Sequence, residues 1–222
     1  MVVRVQSHRF WLGAFAASVI VATAGYCFYI ARYGVNVVFW DEWSWAPLLH
    51  ASHLTINSFW VQHNEDRIFF PTILAAALIN ATNWNDFAFF YVSAAFMLVT
   101  LLLIVRVFWD DILRSPGWWI PVPFVVLTLA QYQNTLWAFQ IAWSVALVAV
   151  VGALVLLRHL RPSMLQMGLA IALGFVASYS SLQGLLVWPV GLILLASRGQ
   201  TRRAVILWSA AGIVAIPLYF LG

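Results

Sequence analysis

Long apolar runs alternate with short polar segments along this chain of 222 residues. A helix that crosses a lipid bilayer needs about 20 mostly apolar residues, and seven runs predict such helices. They cover residues 10–30, 87–108, 118–130, 141–157, 165–179, 185–197 and 204–221. Several runs are short, so their ends must include flanking polar residues. The pattern predicts an all-α fold, a polytopic transmembrane helix bundle in which residues 1–222 form a single domain.

The apolar segment 68–80 has only about two-thirds of the length that a span requires. Arginine positions decide where it lies. If it does not cross and the N-terminus is cytoplasmic, most arginines are cytoplasmic: Arg4, Arg9, Arg106, Arg114, Arg158, Arg161, Arg198, Arg202 and Arg203. If the segment crosses, every later loop changes side, and all of these arginines except Arg4 and Arg9 move outside. Because positive residues concentrate in cytoplasmic loops, we expect about seven spans and an outer first loop, residues 31–86, with interfacial helices.

Composition supports a membrane environment. Hydrophobic residues make up 64% of the chain and charged residues 8%, whereas soluble domains carry about 25% charged residues. The net charge of +4 comes from arginines scattered between apolar runs, which argues against a nucleic-acid partner. The single cysteine, Cys27, excludes an internal disulfide. Since the chain stops at its last apolar run, we expect a fragment or the membrane half of a longer protein.

Five polar segments fall on the outer side in this topology: residues 40–43, 63–71, 83–86, 131–134 and 180–184. Most of the acidic residues lie in them: Asp41, Glu42, Glu65, Asp66 and Asp86. Polar groups next to lipid are costly, so a set gathered on one side predicts a functional site.

Asp41 and Glu42 are flanked by Trp40, Trp43 and Trp45, and tryptophans are typical of the lipid headgroup level. A carboxylate there can act as a general base on a hydroxyl, or can bind a divalent cation such as Mg²⁺ or Mn²⁺. Both acids are therefore candidate catalytic residues and candidate metal ligands. The alternative is a solvated acidic loop.

Four further polar side chains precede the apolar segment 68–80: His63, Glu65, Asp66 and Arg67. A planar guanidinium can bind a phosphate through two hydrogen bonds, and Arg67 is one of only two arginines outside in the favoured topology. We expect these four residues to bind substrate. The alternative is a helix start, with Asp66 or its neighbour Asn64 as the cap.

Gln133 and Asn134 lie in a segment, residues 131–140, that mixes amide side chains with aromatic rings. Such a mixture is typical of sugar-binding surfaces, although a capped turn between helices explains it equally well. His50 and His53 are spaced to share one helical face. No third metal ligand follows at a convincing spacing, so an interfacial amphipathic helix is favoured over a metal site there.

Taken together, these motifs resemble the GT-C class of integral membrane glycosyltransferases, particularly the protein O-mannosyltransferase and aminoarabinose transferase type. Members have a first span and then a large outer loop that opens with an acidic motif, as Asp41-Glu42 does here. The stretch from His63 to Pro71 is similar to their His/Arg/Pro segment. The pattern Gln-x-x-Asn-x-x-Trp-x-Phe-Gln, residues 131–140, looks like that of bacterial members.

The resemblance implies transfer of a sugar from a polyprenyl-phosphate-linked donor to an acceptor hydroxyl, on the outer side of the bacterial inner membrane. It implies Asp41 as the base, Glu42 as its orienting partner or a metal ligand, and Arg67 with His63 at the donor phosphate. Gln133 and Asn134 would contact sugar hydroxyls. The alternatives are a non-catalytic transporter or flippase and a structural subunit that handles lipid-linked saccharides.

Overall fold

A computed structural model describes residues 2–49, 53–159 and 161–221 of the chain. Its α-helices are α1 (Val2–Tyr33), α2 (Ile56–Phe59), α3 (Phe69–Thr82), α4 (Asp86–Val107), α5 (Trp109–Arg114), α6 (Val122–Val126), α7 (Tyr132–Leu136), α8 (Ile141–Leu157), α9 (Met164–Ser178), α10 (Val187–Ser197) and α11 (Arg202–Tyr219). Short 3₁₀ helices cover Trp40–Leu48, Pro116–Trp119, Ala138–Gln140 and Leu182–Leu186. Strands β1 (Gln62–His63) and β2 (Asp66–Arg67) pair as an antiparallel hairpin. The predicted all-α class is confirmed.

Four helical stretches in the described part of the chain are long and apolar enough to cross a membrane: His8–Tyr33, Asp86–Val107, Ala138–Leu157 and Arg202–Tyr219. Shorter apolar helices cover Phe69–Thr82, Met164–Ser178 and Leu182–Ser197. Helices α4 and α8 match the predicted runs 87–108 and 141–157 to within one residue. These lengths and compositions indicate a membrane protein.

The predicted span 118–130 is not one continuous helix. Pro121 and Pro123 lack the backbone N–H that a helix interior requires, so the helix can only begin around them. Helix α6 is correspondingly short and ends at Val126. Beyond it, the hydroxyl of Thr128 accepts a hydrogen bond from the N–H of Ala130 at 3.3 Å, which gives this backbone an alternative to helical bonding.

The two ends of the bundle differ in their polar contacts. At one end, called here the Arg158 end, Nη1 of Arg158 donates to the carbonyl of Val107 at 2.7 Å, and Nη1 of Arg198 donates to the carbonyl of Arg158 at 2.9 Å. These bonds join the last turns of α4, α8 and α10. At the opposite end, called the Asp41 end, α1 finishes beside the first turn of α4, where Gly34 leaves space for the ring of Phe87.

Helix α3 begins and ends at the Asp41 end. At its start, the N–H of Phe70 donates to the carbonyl of Tyr179, the residue that follows α9, at 3.2 Å. Near its finish, the side-chain amide of Asn80 donates to the carbonyl of Leu48 at 3.0 Å. Asn83 then takes a left-handed backbone conformation, with φ of 50°, which closes the helix. Helix α3 therefore does not connect the two ends of the bundle.

Helix α8 lies at the centre, between α4 and α9. Small buried side chains run along it at helical spacing: Ala142, Ala146, Ala149 and Ala153. Small residues allow helix backbones to approach closely, which is how helices pack in lipid. The indoles of Trp188 and Trp208 pack together with their ring centroids 4.6 Å apart, so α10 and α11 are joined to this centre by large rings.

Candidate functional site at the Asp41 end

The backbone before Asp41 is held by aromatic contacts. Trp40 has φ of 49°, a left-handed conformation that is uncommon for a bulky side chain. Its indole stacks on that of Trp137, with ring centroids 5.8 Å apart, and Nε1 of Trp137 donates to the carbonyl of Phe39 at 3.3 Å. The strained residue therefore directs the chain into the 3₁₀ helix that carries Asp41 and Glu42.

Glu42 is a buried connector between two segments. Its side chain is only 2% exposed. Oε2 accepts from the N–H of Phe39 at 3.0 Å, and Oε1 accepts from the N–H of Ala138 at 2.9 Å. Burial, with a smaller contribution from the charge of Asp86, raises the pKa of the Glu42 carboxyl to about 7. Glu42 thus fastens the 3₁₀ helix to the segment that precedes α8.

Asp41 lies against His63. Its Oδ1 is 3.5 Å from Nε2 of His63, and about a quarter of each side chain is exposed. His63 comes from β1, whose hairpin turn is made possible by Asn64, with φ of 53°. On its other side the imidazole packs on Phe139, with ring centroids 4.8 Å apart. The tertiary structure therefore joins the two predicted motifs, residues 40–43 and 63–71, in one acid–imidazole pair.

A cavity of about 370 Å³ opens beside this imidazole and is called here the His63 cavity. Its polar wall consists of Ser44, His53, Ser58, His63 and Thr72. Its apolar wall includes Trp45, Leu48 and Ile68. A cleft with mostly apolar walls and a few converging polar groups is a typical small-ligand site. The hydroxyls and the two histidines can bind hydroxyl-bearing ligands. Asp41 does not line the cavity itself and lies behind His63, 3.5 Å from its Nε2.

Arg67 anchors the first loop to the last helix. The residue is 1% exposed, its Nε donates to the carbonyl of Tyr219 at 2.8 Å, and its Nη2 donates to the carbonyl of Leu221 at 3.0 Å. The guanidinium also lies 4.9 Å from the ring centroid of Trp60. These contacts support a structural role, and phosphate binding by Arg67 stays a prediction.

The neighbouring acids have separate positions. Oδ1 of Asp66 accepts from the N–H of Leu182 at 2.6 Å, which fastens β2 to the segment after α9. Glu65 is exposed at the hairpin turn, where its carbonyl accepts from the hydroxyl of Tyr219 at 2.8 Å. Neither carboxylate lines the His63 cavity, so the four residues predicted to bind substrate are divided between a site residue, His63, and contacts that hold the loop.

Gln133 and Asn134 lie on α7, away from the His63 cavity. Gln133 is exposed. Nδ2 of Asn134 donates to Oε1 of Gln131 at 2.8 Å. Asn134 and Gln131 line a second cavity of about 370 Å³ between α4, α6 and α8, called here the α4–α8 cavity. Its other polar residues include Gln140 and Ser144. The sugar-contact role of the two amides stays a prediction.

A divalent cation shared by Asp41 and Glu42 does not fit this geometry well. Each Glu42 oxygen already accepts a backbone N–H, while Asp41 faces His63. Among the described residues there is no group of three or more His, Cys, Asp or Glu side chains that could hold a metal ion. His50 lies outside the described residues, and His53 lines the His63 cavity.

Comparisons with known proteins give no relative. No family model, no curated protein and no solved structure matches this chain.

Some site residues were not identified from the sequence. Ser44 lies two positions from Glu42, and this proximity to the acidic pair is a signal that could have identified it. Phe139 belongs to the aromatic segment 131–140, but nothing in the pattern shows that it packs on His63. Ser58 and Thr72 come from different helices, and only the fold brings them to one cavity.

We predict that Glu42 makes the stability of the protein depend on pH. The raised pKa means that the folded state favours the neutral carboxyl. Its contribution is fully present below the ordinary pKa of 4.5 and is lost as pH rises to about 7, with a magnitude on the order of 3 kcal/mol. Thermal unfolding in detergent from pH 4 to 8 measures this loss.

The matched pair for this measurement is Glu42→Gln and Glu65→Gln. Glu42→Gln should flatten the slope between pH 4.5 and about 7, because the amide does not ionise. The NH₂ group of the new side chain also faces a backbone N–H, so the variant should be less stable than the wild type at pH 4.5, and this difference should shrink as pH rises to about 7. Glu65→Gln, at an exposed site, should keep the slope of the wild type. An unchanged slope in Glu42→Gln contradicts the assignment.

We predict that Arg67→Lys lowers stability by about 2 kcal/mol, because an ammonium cannot reproduce the forked donation to two carbonyls or the contact with the indole. Thermal unfolding in detergent measures the loss. Arg202→Lys, at an exposed position, is the matched control and should be neutral. Equal stability of Arg67→Lys and wild type would show that the anchor contributes little.

Proposed function

We propose that this chain is the membrane domain of an inverting GT-C type glycosyltransferase. It transfers a sugar from a polyprenyl-phosphate-linked donor to an acceptor hydroxyl at the outer face of a bacterial inner membrane. The single observation that carries the proposal is the Asp41–His63 pair, 3.5 Å apart, beside a cavity at one end of an apolar bundle. A base at headgroup depth suits a donor whose tail stays in the lipid.

The proposed topology has seven crossings, with the Asp41 end outside. The four long apolar helices, together with α9, α10 and the broken segment 118–136, run between the two ends. The return of α3 to the Asp41 end supports the interfacial placement of residues 68–80. Seven arginines lie in the last or first turns of helices, or in the short connections between them, at the Arg158 end, in agreement with a cytoplasmic location: Arg106, Arg114, Arg158, Arg161, Arg198, Arg202 and Arg203.

The α4–α8 cavity is the proposed place of the donor. Its apolar wall includes Met97, Ile104 and Leu147, which suits a prenyl chain, and its amides Gln131 and Asn134 lie towards the Asp41 end. The segment that carries these amides continues to Ala138, whose N–H is bonded to Glu42. The donor cavity and the proposed base are therefore connected through one short stretch of backbone.

In the proposed reaction, Asp41 accepts the proton of the acceptor hydroxyl. The hydroxyl oxygen attacks the anomeric carbon, and the bond from that carbon to the phosphate oxygen breaks with inversion. The electron pair leaves with the polyprenyl phosphate. His63 holds the carboxylate in position and, when protonated, stabilises negative charge nearby. Arg67 supports the hairpin that carries His63. A divalent cation at Asp41 and Glu42 stays a prediction, and no step depends on it.

We predict that Asp41→Asn abolishes sugar transfer, by about a hundredfold or more, because the amide cannot accept the proton. The measurement is transfer of radiolabelled sugar from polyprenyl-phosphate donors to a panel of acceptors, with the full-length protein in liposomes. Asp110→Asn, an exposed acid at the opposite end, is the matched control and should be fully active. His63→Gln should reduce transfer less than Asp41→Asn does.

The same assay separates the alternatives. A flippase would move the labelled lipid across the liposome membrane without transfer and without dependence on Asp41. A structural subunit would show neither activity. Transfer that is unchanged in Asp41→Asn rules out its role as base, while movement of lipid without transfer favours the flippase.

We predict that cysteines placed at Gln133 and Ser163, in a Cys27→Ser background, label from opposite sides of the membrane. Gln133 should react with a membrane-impermeant maleimide added to intact cells after outer-membrane permeabilisation. Ser163 should react only after the cells are lysed. The reverse pattern would overturn the proposed orientation, and reaction of both from one side would overturn the seven crossings.

A further inference from the structure

At the Arg158 end, α4, α8 and α10 enclose a groove of about 370 Å³, called here the Arg158 groove. Its walls are mostly apolar and include Ile104, Val107, Leu154, Val190 and Leu194. The polar side chains that line it are two arginines, Arg158 and Arg198. The groove adjoins the α4–α8 cavity, because Ile104 and Val151 line both, but its own lining has two cations and no hydroxyl or amide side chain.

Backbone carbonyls hold both guanidiniums in the lining of the groove. Nη1 of Arg198 donates to the backbone carbonyl of Arg158 at 2.9 Å, and Nη1 of Arg158 donates to the carbonyl of Val107 at 2.7 Å. A guanidinium carries five N–H donors, so each of these bonds orients its group and uses only one of the five. Arg158 is half-buried and Arg198 is exposed, so both can reach a ligand that enters from the lipid.

No acid neutralises the pair within the lining of the groove. The acidic residues described at this end are Asp110 and Asp111, which lie on α5 and do not line it. Oδ1 of Asp111 is 3.5 Å from Nη1 of Arg114 instead. The groove therefore presents a positive charge of two beside an apolar wall, and its occupant should be an anion with a hydrophobic tail.

We propose that the Arg158 groove binds one anionic phospholipid. The phosphodiester lies between Arg158 and Arg198, and an acyl chain lies along the apolar walls formed by α4, α8 and α10. Guanidinium groups bind phosphate oxygens through paired hydrogen bonds, and basic pockets between membrane helices bind anionic headgroups. The lipid would join three helices at the end opposite to Asp41. This proposal does not depend on sugar transfer.

The test uses the full chain, purified in a mild non-ionic detergent and mixed with equal amounts of phosphatidylglycerol and phosphatidylcholine. Native mass spectrometry counts the retained lipids. Wild type should retain the anionic lipid preferentially. The double variant Arg158→Gln/Arg198→Gln should lose about thirtyfold of that preference, from about fivefold for each arginine. Arg202→Gln/Arg203→Gln, which changes two exposed arginines outside the groove, should keep it.

A second pair of variants tests the apolar wall and leaves the charges in place. Val190→Trp fills the groove and should abolish retention of the anionic lipid. Ile193→Trp, on the same helix but outside the lining, should have no effect. Retention by Val190→Trp, or an equal loss in both arginine double variants, would overturn the proposal. The proposal would also be overturned if soluble glycerol 1-phosphate raised the melting temperature of the wild type as much as phosphatidylglycerol does, because the acyl chain would then contribute nothing.

Discussion

Two buried ionisable side chains, Glu42 and Arg67, hold the first loop on the end of the bundle. Glu42 accepts backbone N–H groups from both its own segment and the one before α8. Arg67 donates to backbone carbonyls at the end of α11. Burying such groups is tolerable only when they are hydrogen-bonded, and here their partners are backbone groups that would otherwise lack partners near lipid. The same bonds therefore satisfy exposed helix ends and position the loop.

The position of Asp41 follows from this constraint. Because Glu42 is fixed in the interior, its neighbour is directed to the surface of the loop. Because Arg67 and Asp66 fix the hairpin, His63 is brought to meet it. About a quarter of each side chain of the Asp41–His63 pair is exposed. In the proposed transferase, Glu42 and Arg67 position the site, and the Asp41–His63 pair performs the chemistry.

The two ends of the bundle carry different kinds of site. The His63 cavity lies at the Asp41 end, while the α4–α8 cavity extends from the amides of that end to Ile104 and Val151, which also line the Arg158 groove. The hydroxyl and amide groups in the walls of both cavities suit a ligand rich in hydroxyls. The Arg158 end has an apolar groove with two guanidiniums, which suits a lipid anion. Where α8 presents small alanines to its neighbours, the helices pack closely.

The sequence by itself determined the all-α class, the apolar helices and, to within one residue, the bounds of α4 and α8. These are local properties, because hydropathy over about 20 consecutive residues decides whether a segment can lie in lipid. Pro121 and Pro123 are likewise a local signal, because a proline cannot lie in a helix interior without the loss of a hydrogen bond. Asp41 and His63 could be selected as candidates, since polar residues are conspicuous beside so much apolar sequence.

Only the tertiary structure decided what those residues touch. Arg67 and Tyr219 are 152 positions apart, and no periodicity in the chain encodes their contact. The chain likewise does not encode that Asn134 lies away from the His63 cavity. Nor does it encode the burial of Glu42, because Glu42 and its neighbour Asp41 are both acidic residues in the same segment. Side-chain roles depend on distant partners and on solvent access, and both come into existence when the helices pack.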